Sequence, residues 1–152
     1  MDMRITDAEA REALRILRVL SRIRGHTLLT AKEWDAIRRE ARDIQNLLEC
    51  TTFSDIDSMV GRLDQLGVYY ARSGALLSEV VGMRDAAVAK LFHDEKETIL
   101  SLSPSLANKL IGSASSELNA LEKWLDRINA ACKHQCDNLR TMISFEKERM
   151  RL

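Results

Sequence analysis

The chain has 152 residues, of which 45% are hydrophobic, 30% charged and 5% aromatic, with Pro104 its single proline. That balance excludes a globally disordered chain and suits long amphipathic helices better than a sheet protein. The 23 basic and 23 acidic side chains cancel, so no overall field favours nucleic acid and any such role must come from local patches.

Residues 1–152 suit a single domain, which buries about two thirds of its unfolded surface when compact. A helical hairpin buries less per residue, so an elongated chain leaves apolar stripes that favour self-association. Charge is uneven along the chain. Residues 1–29 carry six Arg against four acids, 50–101 five bases against eight acids, and 102–152 eight bases against six acids. Cys50, Cys132 and Cys136 make no disulfide framework, and no run approaches the roughly 18–20 apolar residues of a membrane span. Met1 to Ala10 is too polar for a secretory signal. The expectation is a cytoplasmic protein without a membrane partner.

Thr6-Asp7-Ala8-Glu9 is a capping-box pattern that starts a helix from about Asp7 to Arg24, ended by Gly25. His26 to Leu29 then reads as a linker. Thr30-Ala31-Lys32-Glu33 repeats the box. Behind it Trp34, Ile37, Ala41, Ile44 and Leu48 give one apolar face, predicting a second helix that ends near Glu49. Ser54-Asp55-Ile56-Asp57 opens a third helix, predicted to run to about residue 100. Its seam reads Ile56, Val60, Leu63, Gly67, Tyr70, Gly74, Leu77, Val81, Val88 and Leu91, a near 3.5-residue period interrupted at Arg84. Gly67 and Gly74 on that seam would admit another helix backbone at short range, at about 1 kcal/mol each in helix propensity. Ser103-Pro104 predicts a short helix to Leu110 or Ile111, with Ser as cap and Pro at the first helical position. After Gly112 to Ser116, a last helix to about Met150 carries Leu118, Leu121, Leu125, Ile128, Cys132, Gln135, Leu139 and Met142 at three- and four-residue spacing. The predicted fold is all-α. It is a long antiparallel helical hairpin with coiled-coil-like seams, a short connecting helix and extra N-terminal helices, 1–29 being an Arg-striped amphipathic helix and 30–152 the helical core.

Catalysis has little to stand on, since the chain has no glycine-rich phosphate loop, nucleophile elbow or His-Glu-x-x-His run. Cys132 and Cys136 share a helix face but supply two ligands where zinc takes four, and read as small buried apolar residues. His26 and His93 stand alone, and His134 points away from the cysteine pair. Trp34, Trp124 and Tyr70 fall on apolar faces, where core packing is the ordinary role and base stacking the alternative. The chain is expected not to be an enzyme and to need neither a cofactor nor a metal.

More informative are Arg11, Arg15, Arg18 and Arg22, spaced four, three and four apart beside the apolar Leu14, Leu17, Leu20 and Ile23. Such a guanidinium stripe can neutralise the phosphates of nucleic acid or an anionic surface. Asp7, Glu9 and Glu12 lie close enough to pair with it instead. A second basic cluster is formed by Lys133, Arg140, Lys147, Arg149 and Arg151, partly offset by Asp137, Glu146 and Glu148. Cations near a helix C-terminus are also favoured by its dipole alone.

Trp124-Leu-Asp-Arg-Ile-Asn, followed by the run His134-Gln-Cys-Asp-Asn-Leu-Arg-Thr-Met-Ile-Ser144, resembles the UvsY-type recombination mediators of tailed phages. Those proteins place a Trp upstream of a Leu-Asp-x-Ile-Lys-Ser-like segment on their last helix, a segment that Asp137, Leu139, Arg140 and Thr141 would occupy here. The resemblance covers the last third of the chain, and the Arg-striped helix before Thr30 has no counterpart in it. It implies a small helical protein that assembles into a ring-like oligomer, binds single-stranded DNA and helps load a recombinase in place of a single-strand-binding protein. The expectation is a homo-oligomeric nucleic-acid-binding accessory protein that displays Arg11, Arg15, Arg18, Arg22, Arg140 and Lys147 many times over, gaining by avidity. The alternatives are a protein-interaction scaffold that docks Leu14, Leu17 and Leu20 in a partner's groove, or an oligomer that sequesters a small phosphorylated ligand at subunit junctions.

Overall fold

The computed structural model describes residues 6–24, 31–50 and 55–151, and only the backbone of residues 19, 20, 22–24 and 31. Helices and no strand make up those residues: α1 (Asp7–Arg24), α2 (Ala31–Glu49), α3 (Ile56–Asp94), α4 (Lys96–Ser101), α5 (Pro104–Ala114) and α6 (Ser116–Arg149). The all-α expectation holds. The readings of Gly25, His26 to Leu29, Thr30 and Ser54 lie outside the described residues.

Local chemistry explains where these helices begin. The Thr6 amide and hydroxyl each donate to a Glu9 carboxylate oxygen at 2.8 Å, and the Glu9 amide donates back to Thr6 Oγ1 at 3.4 Å, the reciprocal pairing of a capping box. Asp55 caps α3, accepting from the Ser58 amide at 2.7 Å and the Ser58 hydroxyl at 2.9 Å. Ser103 Oγ accepts from the Leu106 amide at 3.4 Å, with Pro104 opening α5. Two boundaries differ from the sequence reading. The long helix stops at Asp94, and Glu95, at φ −120 and ψ 24, bends the chain into α4. Asp94 and Glu95 are acids at a helix C-terminus, against its dipole; ending there makes Glu95 the N-cap of α4 and puts Glu97 in its first turn, where the dipole favours an acid. At the other site, α5 continues through Gly112 to Ala114, because Gly112 keeps a helical backbone and no described glycine has positive φ.

The chain divides into two compact units, one of Met1–Thr30 and Gly82–Asn119, the other of Ala31–Val81 and Ala120–Leu152. In the first, Leu91, Ile99 and Leu110 are buried together, and Ile16, Leu102, Ala107, Ile111 and Ala114 pack against them. Ile16 thus ties α1 to α5. Burying such a side chain contributes about 1.5–3 kcal/mol when complete.

In the second unit, α2 lies with the first part of α3 and most of α6, and α3 and α6 form the expected hairpin. Ile37, Ala41, Ile44 and Leu48 of α2 are buried, as the sequence reading had them. On the part of α3 in this unit the buried set is Met59, Arg62, Leu66, Ser73, Leu76 and Val80, one residue off the expected seam, whereas Leu91 further along α3 is buried as expected. Leu63, Gly74 and Leu77 become half-buried, and Val60, Gly67 and Tyr70 exposed. Both registers keep a three-and-four spacing, and Arg62 and Ser73 made the occupied one look polar. The fold gives each a partner. Arg62 donates to the carbonyls of Leu47 and Cys50, while Ser73 Oγ donates to the Tyr70 carbonyl at 3.1 Å and accepts from Asn129 Nδ2 at 2.9 Å.

On α6, Leu121, Leu125, Ile128, Cys132, Cys136, Leu139 and Ile143 are buried, whereas Gln135 is half-buried and Met142 exposed. The stripe repeats from Leu121 to Cys132 to Ile143, about 3.67 residues per turn, longer than the roughly 3.5 that a left-handed supercoil requires. Of the two seam glycines, Gly74 alone faces a neighbour, a Cβ there meeting Asn129 Nδ2 at 3.4 Å; Gly67 faces open space.

Candidate nucleic-acid interface

On α1, Ile16 turns to the core of the first unit and Arg11, Arg15 and Arg18 turn to solvent. The backbone places Arg22 on the same stripe, its side chain lying outside the described residues. Arg11 Nε donates to the Asp7 carbonyl at 3.1 Å, which anchors it along its own helix. Asp7 and Glu12, the acids spaced to reach Arg11 and Arg15, form no ion pair with them, and Glu9 is engaged in the Thr6 cap. The Thr6 amide, and then its hydroxyl, hold the Glu9 carboxyl below the usual carboxylate range. Among the described residues no carboxylate lies within ion-pair distance of Arg15 or Arg18. Their charge faces water uncompensated.

The apolar residues of α1 divide differently from the sequence reading. Leu14 and Leu17 are 55% and 60% exposed, because Ile16, just over half a turn from Leu14, occupies the core-facing side. The expected Leu20 and Ile23 positions lie outside the described side chains. The helix therefore shows solvent two adjacent strips, one of leucine and one of arginine.

The C-terminal cluster belongs to the second unit and is partly neutralised. Arg140 Nη1 pairs with Asp137 Oδ1 at 3.1 Å, and Arg149 Nη2 with Glu146 Oε2 at 3.1 Å. Lys133 and Lys147 are exposed. Thr141 and Ser144 turn their hydroxyls onto the carbonyls of Asp137 and Arg140. Trp124 is half-buried, its indole N–H donating to Gln45 Oε1, so it serves α2–α6 packing.

Cys132 and Cys136 are buried, as expected of small apolar residues, and Cys50 is exposed. Burial pushes the Cys132 thiol above its ordinary value, with Cys136 adding to the effect. No group of three His, Cys, Asp or Glu side chains converges among the described residues, and no described helix is long and apolar enough to cross a membrane.

One cationic surface escaped the sequence reading. Arg38, Arg39 and Arg42 line, with Asp35, an open concavity on the solvent side of α2. Their spacing of one and three residues, opposite Ile37, Ala41 and Ile44, was the available signal.

No family model, no curated protein and no solved structure matches this chain.

Proposed function

We propose that the chain is a self-associating, non-catalytic helical accessory protein that binds nucleic acid, the Arg11, Arg15 and Arg18 stripe of α1 gripping the phosphates. The observation that carries this reading is the uncompensated charge of that stripe, with no carboxylate of the described residues at ion-pair distance from Arg11, Arg15 or Arg18. The resemblance of Trp124 to Ser144 to UvsY-type mediators points the same way and suggests a single DNA strand, handed to a recombinase, as the working substrate. Self-association is supported by apolar side chains left in solvent in both units, among them Leu100, Val68 and Phe145. Arg140 contributes less in this reading than the α1 arginines, since Asp137 already offsets it.

The test is binding of a fluorescent single-stranded oligonucleotide at low and moderate salt, with oligomer mass read by light scattering on the same samples. Steep salt dependence is expected, and Arg11→Gln/Arg15→Gln/Arg18→Gln should lower the slope by about 2, at roughly 0.7 per phosphate contact on a single strand. No binding at low salt overturns the reading.

The exposure of Leu14 and Leu17 favours a second reading, a scaffold whose α1 docks on another protein. There, Leu14→Ser/Leu17→Ser abolishes association and salt has little effect.

A further inference from the structure

A second uncompensated cationic surface lies on the unit that does not contain α1. With Ile37, Ala41, Ile44 and Leu48 turned into the core, α2 presents Arg38, Arg39 and Arg42 to solvent, within little more than one helical turn. They line one open concavity with Asp35. Arg39 Nε donates to the Asp35 carbonyl at 3.4 Å, a bond to its own helix that does not use its terminal N–H groups. The Arg38 guanidinium sits 6.0 Å from the centroid of the half-buried Trp34 ring, a distance that fits a cation–π contact.

The acids of α2 do not quench this charge. Glu40 is taken by Arg72, whose Nη2 lies 2.7 Å from Glu40 Oε2, and neither Asp35 nor Asp43 reaches ion-pair distance of the three arginines. Like charges at i and i+4 on a helix repel, destabilising it by a few tenths of a kcal/mol. An arrangement that costs stability in the free chain is relieved by an anion that all three guanidiniums can face, and the planar Arg fork matches the oxygens of a phosphate bidentately.

We infer that Arg38, Arg39 and Arg42 form a phosphoanion-binding site, with the Trp34 ring beside it as a reporter and an aromatic neighbour for the ligand. The ligand's phosphates come from a nucleic-acid strand or from a free oligophosphate. The first source rests on the nucleic-acid reading above; the second does not.

The experiment compares the full chain with Arg38→Gln/Arg39→Gln/Arg42→Gln and with the α1 triple variant, all checked for helicity by circular dichroism. Each is titrated with a single-stranded oligonucleotide over a range of salt and, separately, with inorganic tripolyphosphate while tryptophan emission is followed. Trp34→Phe identifies the Trp34 share of the signal. If the α2 variant lowers the salt slope for the oligonucleotide by about 2, the site holds a strand. If tripolyphosphate changes Trp34 emission in the wild type and not in the α2 variant, the site takes free phosphoanions. A wild-type slope in the α2 variant, together with silence towards tripolyphosphate, overturns the site; loss of oligonucleotide binding in the α1 variant then leaves the nucleic-acid reading standing. Silence of the wild type towards both ligands overturns both.

Discussion

Replacing Arg62 by Ala removes a guanidinium that is 9% exposed and donates to the carbonyls of Leu47 and Cys50, the latter at 3.2 Å. Those carbonyls end α2, whose last turn holds no basic residue of its own, so the cation that the helix dipole favours there comes from α3. Gln135 Nε2 takes the Leu48 carbonyl at 2.8 Å, and the end of α2 is thus held by side chains from both neighbouring helices. Hydrogen bonds from a charged donor contribute about 1.5–3 kcal/mol each. Cys50 is exposed, so water replaces that bond at little cost, and Leu47 is half-buried. Against the loss stands relief of desolvation, since Arg62 Nε is buried without a partner. The net expectation for Arg62→Ala is a loss of about 2–3 kcal/mol, including packing of the removed methylenes. Arg62→Met keeps that packing and should lose about 1–2 kcal/mol. Urea unfolding followed by far-ultraviolet circular dichroism measures both. If Arg62→Ala unfolds within about 0.5 kcal/mol of the wild type, the range of an ordinary surface change, the clamp on α2 is refuted.

Asn129→Ala deletes the 2.9 Å bonds to the Tyr70 carbonyl and Ser73 Oγ and should cost about 1–2 kcal/mol by leaving the buried Ser73 underserved; thermal melts in which Ser73→Ala/Asn129→Leu regains most of the loss would confirm the cause. Cys50 should alkylate within minutes under native conditions and Cys132 and Cys136 only on unfolding, a ratio that mass spectrometry reads directly. Because burial raises the Cys132 thiol, its contribution is complete below the unfolded thiol's value and lost as pH rises through the folded one, so alkaline pH should lower stability less in Cys132→Ala than in the wild type. The Arg72 hydrogen bonds and charge hold the Glu40 carboxyl below its ordinary value; the pair therefore contributes above the unfolded value and fades as pH falls through the folded one. Being exposed, it should contribute no more than about 1 kcal/mol, and a double-mutant cycle at low and high salt would expose any larger share.

Much of the fold was legible because helix signals are local. Thr6 and Glu9, Asp55, and Ser103 with Pro104 mark starts that side-chain geometry then confirms, and the α2 face needed only the three-and-four spacing of Ile37, Ala41, Ile44 and Leu48. The α3 register was not legible, because choosing between two equally spaced stripes required knowing that the α2 carbonyls would satisfy Arg62 and that Asn129 would satisfy Ser73. Those partners are distant in sequence. The same limit hid the outcome at α1. Pairing of Arg11 with Asp7 and of Arg15 with Glu12 was open by spacing, and neither ion pair forms.

These differences share a direction. Where the chain places polar groups inside, it pairs most of them: Ser73 and the carbonyls of Leu47 and Leu48 find partners, Arg62 Nε being the exception. Where it places arginines outside, on α1 and on the solvent side of α2, no carboxylate of the described residues comes within ion-pair distance of them, although acids are as numerous as bases in the whole chain. A neutral protein that used its charges for solubility alone would intersperse the two signs on each face. Segregating guanidiniums to Arg11, Arg15 and Arg18 in one unit and to Arg38, Arg39 and Arg42 in the other forgoes that compensation, and the energy it forgoes is recoverable by binding anions. An oligomer would multiply the effect, since each added copy raises the effective concentration of arginines along the same polyanion.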